Sequence, residues 1–234
     1  MNTLSVKDLH VKINESHILQ GVTFEVPAHS VTALLGRNGV GKSTTLKAIL
    51  GLYPSEGSIE LNGQSLSGKL TYKIAQAGIA YVPEDREIFA SLTVRENLLL
   101  ATRNESDLQR QQMVNELFPE LVSRSAQRAG TLSGGQQQMV AIARALVNKN
   151  EILLIDEPTK GLAPKLVTEV ADALGRVAGE TTMLLVEQNL PLVKRIAQHI
   201  IVMDQGRIVF QGSPEFLHDG EWVHTMLGVS GGHK

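Results

Sequence analysis

Cysteine is absent from the 234-residue chain, which excludes disulfides, thiolate metal sites and a cysteine nucleophile. Long apolar runs are missing too. Stretches such as "EILLID" and "TMLLVE" are strand-length, far short of the roughly 20 residues a membrane-spanning helix needs. The opening "MNTLSVKDLHVKINES" lacks the basic-then-apolar order of a signal peptide. The chain is therefore expected to be soluble by itself, with any membrane link made through a partner. Charge of one sign is scarce: 22 Lys and Arg against 24 Asp and Glu leave a net charge of −2. No broad basic field exists to attract nucleic acid, and no nucleic-acid partner is expected. The scattered histidines (His10, His17, His29, His199, His218, His224, His233) show no metal-ligand spacing. What is present is apolar residue at 42%, enough for a sizeable core.

The pattern predicts an α/β protein with a mainly parallel core sheet. Residues 3 to 35 read as strands: "LSVKDLHVKI" and "TFEVP" alternate, and "SVTALLG" is a continuous buried-type strand. A helix is predicted over Lys42 to Leu50, then strands in "EGSIELNGQ" and "GIAYVPEDREIF", the latter breaking at Pro83. Residues 92 to 130 are polar and helical by period, and are expected to form a helical lobe inserted into one domain spanning 1 to 234. The α/β alternation then returns. Helices are predicted to about Val147, from Pro164 to about Val177 and to about Gln198, alternating with strands "EILLID", "TTMLLVE" and "HIIVMD". A short strand, "GRIVFQG", and a mostly helical tail follow. Leu166, Val170, Leu174 and Val177 make one apolar stripe, and Met139, Ile142, Ala143 and Leu146 another.

"GRNGVGKST", from Gly36 to Thr44, fits the P-loop pattern between a predicted strand and a predicted helix. Gly36, Gly39 and Gly41 let the backbone turn tightly and aim N–H groups inward, and the helix N-terminus adds positive potential. Lys42 can reach outer phosphates, and the Ser43 hydroxyl can ligate Mg²⁺. "EILLIDEP" ends a strand in two acids at the edge where ligands bind in a parallel sheet. Asp156 is the candidate for the Mg²⁺ shell, and Glu157 the candidate general base for an attacking water. By itself, such a strand end also fits two solvated acids. In "LSGGQQQMVAIARAL", Ser133 can cap a helix whose Gly134 and Gly135 leave first-turn N–H groups open. A capped core helix and an anion site both fit that stretch.

P-loop, "LSGGQ" and "LLIDEP" in that order resemble the ATP-binding cassette (ABC) ATPases over nearly the whole chain. The resemblance implies a P-loop NTPase fold with an antiparallel β region at its N-terminal end and the helical lobe. It implies ATP and Mg²⁺ as ligands and ATP hydrolysis as the activity. The ATP is expected to be sandwiched between the P-loop of one cassette (Gly36, Asn38, Gly39, Gly41, Lys42, Ser43, Thr44) and Ser133, Gly134, Gly135 and Gln136 of another, in a head-to-tail dimer. "EPTKGLAP" occupies the place of the D-loop, "YVPEDREIF" that of the Q-loop and "LLVEQNL" that of the switch loop. Three positions depart from the common pattern. Glu84 stands where the Q-loop usually has Gln; its carboxylate can still bind Mg²⁺ or water, which makes it a candidate metal ligand whose charge would alter that shell, and Gln188 stands where the switch loop usually has His. Gln188 can donate but cannot carry positive charge at neutral pH. Ile13 stands near the adenine-stacking aromatic and offers only apolar contact, with His17 a weak substitute.

"VPE" with "REIF", "LTVRENL", "ELFPEL", "GLAP" and "LVEQN" is similar to the second ATPase of branched-chain amino acid importers. "SHIL", "LLGRNGVGKST" and "REIF" also resemble the ATPase of urea and short-amide importers, and a soluble cassette for iron–sulfur cluster assembly remains a rival. The importer resemblance implies two membrane permeases, a second ATPase (sister or self) and, indirectly, an extracytoplasmic solute-binding protein. The chain would then sit on the cytoplasmic face of the cell membrane. Ile88, Phe89 and Leu92, within Arg86 to Asn97, are the candidate permease contacts or, equally, packing of the lobe on the core.

Overall fold

The computed structural model describes residues 2–103 and 108–228; His233 and residues 104–107 of the expected lobe lie outside them. The described elements run β1 (Asn2–Ile13), β2 (Ser16–Pro27), β3 (Val31–Leu35), α1 (Lys42–Ile49), β4 (Ser55–Leu61), β5 (Gln64–Ser65) and α2 (Thr71–Gln76). They continue with β6 (Ile79–Val82), α3 (Val94–Ala101), α4 (Leu108–Leu117), α5 (Pro119–Ser123), α6 (Gly134–Leu146), β7 (Ile152–Asp156) and α7 (Pro164–Val177). Last come β8 (Thr182–Val186), α8 (Leu190–Ile196), β9 (His199–Asp204), β10 (Arg207–Gly212) and α9 (Gly220–Leu227), with short 3-10 turns at Ala129–Thr131 and Pro214–His218.

Among the described residues the strands form two sheets. One is antiparallel in the order β2-β1-β4-β5; the other runs β10-β9-β3-β8-β7-β6. The second is parallel from β9 to β6, and β10 joins its edge antiparallel. Strand alternation explains how it is covered. Val31, Ala33 and Leu35 of β3 and Leu153 and Ile155 of β7 face one apolar cluster with α6, α7 and α8. Leu34, Ile152 and Leu154 face the other, with β1, β2 and α1. Both faces are covered, so β3 and β7 are mainly β-branched and aliphatic, with Thr32 and the terminal Asp156 as their polar residues, rather than alternating apolar and polar. Each fully buried Leu or Ile contributes about 1.5–3 kcal/mol.

Three details differ from the sequence expectation. The helix expected to reach about Gln198 ends at Ile196, because Ala197 turns extended (φ −80°, ψ 140°). That turn lets Gln198 accept from the Val31 N–H at 2.7 Å and donate its own N–H to the Val31 carbonyl at 2.9 Å, which seats β9 beside β3. Helix α6 is buried on more than the expected stripe, with Gly135, Gln138, Val140 and Ala141 also covered, because the lobe helices α3, α4 and α5 pack against it while β6 lies on another side. Finally, α2 has no counterpart in the sequence reading. Buried Asn97, 0% exposed, fastens the connection into α3. Its Oδ1 accepts from the Phe89 N–H at 2.9 Å, and its Nδ2 donates to the carbonyls of Phe89 and Thr93 at 3.0 Å each.

Candidate active site

Strand order puts the chemistry at one sheet edge. β3, β8 and β7 are neighbours, and register pairs Leu34 with Val186 and Asp156 with Val186. The chain segments leaving those three strands are Gly36–Thr44, Glu187–Gln188 and Asp156–Glu157, so all three emerge at the same level.

The P-loop wraps into α1 as the motif requires. Gly36, Gly39 and Gly41 all have positive φ (147°, 81° and 111°). At Gly41 an added Cβ would lie 2.7 Å from the Leu19 side chain, so both conformation and space demand glycine there. At exposed Gly39 an added Cβ would meet nothing within 4 Å, which leaves the loop's face open to a ligand. The Lys42 ammonium is 4% exposed and donates to the carbonyls of Gly36 and Arg37, each at 2.9 Å. It also lies 3.8 Å from Glu157 Oε1. Burial pushes its pKa below the ordinary lysine value, against the opposing pull of Glu157 and Asp156. Thr44 follows half-buried in the first turn.

Ser43 Oγ donates to Asp156 Oδ1 at 3.1 Å, and the Tyr81 hydroxyl reaches Asp156 Oδ2 at 3.5 Å. Burial raises the Asp156 pKa above the usual carboxylate value, the Ser43 bond opposes that, and the charges of Glu84 and Glu157 add to it. A hydroxyl and a carboxylate side by side are hard oxygen donors suited to Mg²⁺, so the residues present fit that ion. Glu157 is buried (7% exposed) in a left-handed conformation, φ 44°, held by its N–H donating to the Val186 carbonyl at 2.9 Å. A non-glycine residue in that region costs about 1–3 kcal/mol, a strain that concentrates at functional sites. Gln188 Nε2 donates to Glu157 Oε1 and to Asn38 Oδ1, both at 2.6 Å. Lys42, Ser43, Asn38, Asp156, Glu157 and Gln188 are thus brought together.

Other expected residues stand apart or are otherwise engaged. Glu84 pairs with the Lys160 ammonium, which raises the Lys160 pKa; its charge still acts on Asp156. Ile13 ends β1 opposite Ser16, half-buried against the antiparallel-sheet core, and His17 is exposed. Ser133 caps α6 in a capping box: its Oγ accepts from the Gln136 N–H at 3.3 Å, and Gln136 Oε1 accepts from the Ser133 N–H at 2.9 Å. Gln136 also donates to Glu120 at 2.6 Å. Buried Gly135 allows the Leu166 side chain to approach where a Cβ would stand, and the Arg86 guanidinium lies 3.1 Å from the Cβ position of Gly134. Among the described residues, 133–136 share no hydrogen bond or ion pair with the P-loop. The reading of motifs missed Tyr81, which meets Asp156 across the sheet edge, and Glu187, which accepts from the adjacent Gln188 N–H and from Thr159 across that edge.

A sheet-edge P-loop, a paired Ser–Asp and a buried carboxylate bridged by an amide define a P-loop ATPase. The family model described as ABC transporter matches residues 19–160. A protein of Archaeoglobus fulgidus named probable branched-chain amino acid transport ATP-binding protein LivF is 38% identical, over 94% of this chain and 98% of its own length. The high-affinity branched-chain amino acid transport ATP-binding protein BraG of Pseudomonas aeruginosa is 42% identical, over 82% and 84%. A crystal structure of a nucleotide-free ATP-binding cassette from an ABC transporter superposes with a TM-score of 0.82 at 26% identity, over 98% of this chain and 96% of that one. The chain belongs to the ABC transporter family, as a nucleotide-binding ATPase subunit.

Proposed function

We propose that this chain hydrolyses Mg²⁺-bound ATP at a site shared with a second cassette, and thereby powers an importer of branched-chain amino acids. The observation that carries the hydrolytic assignment is the cluster Lys42, Ser43, Asp156, Glu157 and Gln188 at one sheet edge. Lys42 holds positive charge beside the P-loop face where phosphates bind. Ser43 and Asp156 are the residues that would hold Mg²⁺, which when bound neutralises charge on transferring phosphates. Glu157, placed by a strained backbone, takes the proton of the attacking water. Gln188 orients that carboxylate while bonding Asn38 of the P-loop. Ser133 to Gln136 complete the site of a facing cassette, which accounts for their separation from the P-loop of their own chain.

The solute class comes from the relatives' names and from the Glu84 and Gln188 departures. The partners proposed are two permeases, a second ATPase and a solute-binding protein outside the membrane, with this chain on the cytoplasmic face. Among the described residues no helix is long and apolar enough to cross a membrane, so attachment runs through the permeases. Phe89, 45% exposed with Arg144 4.9 Å above its ring, suits such a contact better than Ile88, which packs on the core. Elsewhere in the helical lobe, Val94, Leu98, Leu99, Phe118 and Val122 line a groove of about 420 Å³.

Two experiments test this reading. Glu157→Gln should retain ATP binding, lower turnover by at least about 100-fold and accumulate a dimer in ATP on size-exclusion chromatography; undiminished turnover removes Glu157 as base. Tagged protein captured from detergent-solubilised membranes should bring two multi-span permeases and a sister ATPase, identified by mass spectrometry. The neighbouring binding protein can then be screened with leucine and urea. Soluble partners alone would overturn the importer reading and leave the ATPase standing.

A further inference from the structure

A third buried carboxylate, besides Asp156 and Glu157, adjoins the hydrolytic cluster. Glu187, 3% exposed, follows β8, and no cation pairs with it among the described residues. Four donors converge on it instead. Oε1 accepts from the Thr159 N–H at 3.2 Å and from the Thr159 hydroxyl. Oε2 accepts from the backbone N–H groups of Gln188 at 2.6 Å and Asn189 at 2.8 Å. An unpaired buried carboxylate is costly unless donors compensate it, and N–H or O–H bonds to an ionised acceptor are among the strong ones. A Val or Leu would extend β8 with no such demand, so packing alone does not account for an acid here.

The two halves of this arrangement belong to different loops. Thr159 stands two residues beyond Glu157. Gln188 is the residue whose amide bonds Glu157 and Asn38, and Asn189 in turn caps α8 by accepting from the Leu192 N–H at 3.1 Å. We infer that Glu187 is a positioning residue that clamps the 157–160 loop to the 187–189 loop, so that Glu157 and the Gln188 amide keep their mutual alignment during turnover. This rests on the assignment of Glu157 and Gln188 to ATP hydrolysis.

The four donors require two acceptor oxygens, which separates electrostatics from shape. Glu187→Gln preserves size but turns one oxygen into a donor facing donors. Glu187→Asp shortens the side chain but keeps both oxygens. In steady-state ATPase assays of the purified full chain, Glu187→Gln should lower kcat by at least about ten-fold, the loss of strong bonds at one loop. KM for ATP should change less than about three-fold, because Lys42 and Ser43 are untouched. Glu187→Asp should be the more active of the two. Thr159→Val should lower kcat by a smaller factor, and adding it to Glu187→Gln should cost little more, since both act through one network. A packing role predicts the reverse ranking, with the isosteric Gln above Asp; that ranking, or a Glu187→Gln enzyme with wild-type kcat, overturns the inference. Glu157→Gln run in parallel separates the two claims. If it is inactive while Glu187→Gln is normal, only the clamp falls; if Glu157→Gln hydrolyses ATP normally, the hydrolytic assignment falls and the clamp with it.

Discussion

At the scale of single residues, the role proposed for Gln188 in hydrolysis has a consequence for pH dependence. Gln188 donates to Glu157 and Asn38 and does not titrate, whereas a histidine there changes charge near its reference pKa of about 6.5. Turnover of the wild-type protein should therefore show no inflection between pH 6 and 7, and Gln188→His should introduce one. The kcat–pH profiles of the two proteins, recorded at saturating ATP, test this; a wild-type inflection in that window that Gln188→His leaves unmoved would show another group in control. Lys42, Ser43, Asp156 and Glu157 were legible because each belongs to a short motif at a strand end, where backbone geometry alone fixes direction. Glu187 and Tyr81 were not. Their partners, Thr159 and Asp156, reach them across neighbouring strands, and no local pattern announces a cross-strand acceptor. Nor does sequence alone reveal that Lys160 engages Glu84.

Elements were legible where periodicity had room to speak. The buried strands β3, β7, β8 and β9 and the stripe of α7 followed from apolar pattern, whereas α2, six residues with only Ile74 buried, is too short to show a period. Helix α6 read as a single stripe because one sequence cannot show that a lobe will cover its other side. The caps give a testable contrast between elements. α3 and α6 begin with the same capping box, closed by Glu96 in one and Gln136 in the other. Bonds from the Thr93 N–H and hydroxyl hold the Glu96 carboxyl below its usual pKa. A depressed carboxylate stabilises the fold above its unfolded-state pKa, and that contribution is lost as pH falls through the folded-state value. Glu96→Ala should therefore lower Tm at pH 7 by about one to two degrees, a deficit that shrinks as the medium is acidified below pH 4.5, the ordinary glutamate value. Gln136→Ala should show a deficit with no such pH dependence. Thermal melts across that range distinguish the two, and an equal pH dependence in both would contradict the cap as its source.

At the scale of the whole molecule, the chain carries two helix starts proposed to meet phosphate, α1 after Gly41 and α6 after Ser133, yet joins them by no hydrogen bond or ion pair among the described residues. The neighbours of 133–136 are Arg86, Glu120 and Leu166, and the P-loop's are Asp156, Glu157 and Gln188. If each serves the ATP of a facing cassette, defects in the two should complement one another. Lys42→Ala disables a P-loop and Ser133→Arg crowds the start of α6, so either protein alone should be inactive. Mixed in equal amounts, they form a hetero-pair in which the intact P-loop of the Ser133→Arg chain faces the intact α6 start of the Lys42→Ala chain. Random pairing makes about half the dimers mixed, each with one whole site of two, so activity should recover to about a quarter of wild type. Recovery must also depend on total protein concentration, as dimerisation does. Two inactive proteins that stay inactive together, under conditions where the wild-type chain alone turns over ATP, would place both defects in one site of one chain and end the shared-site reading.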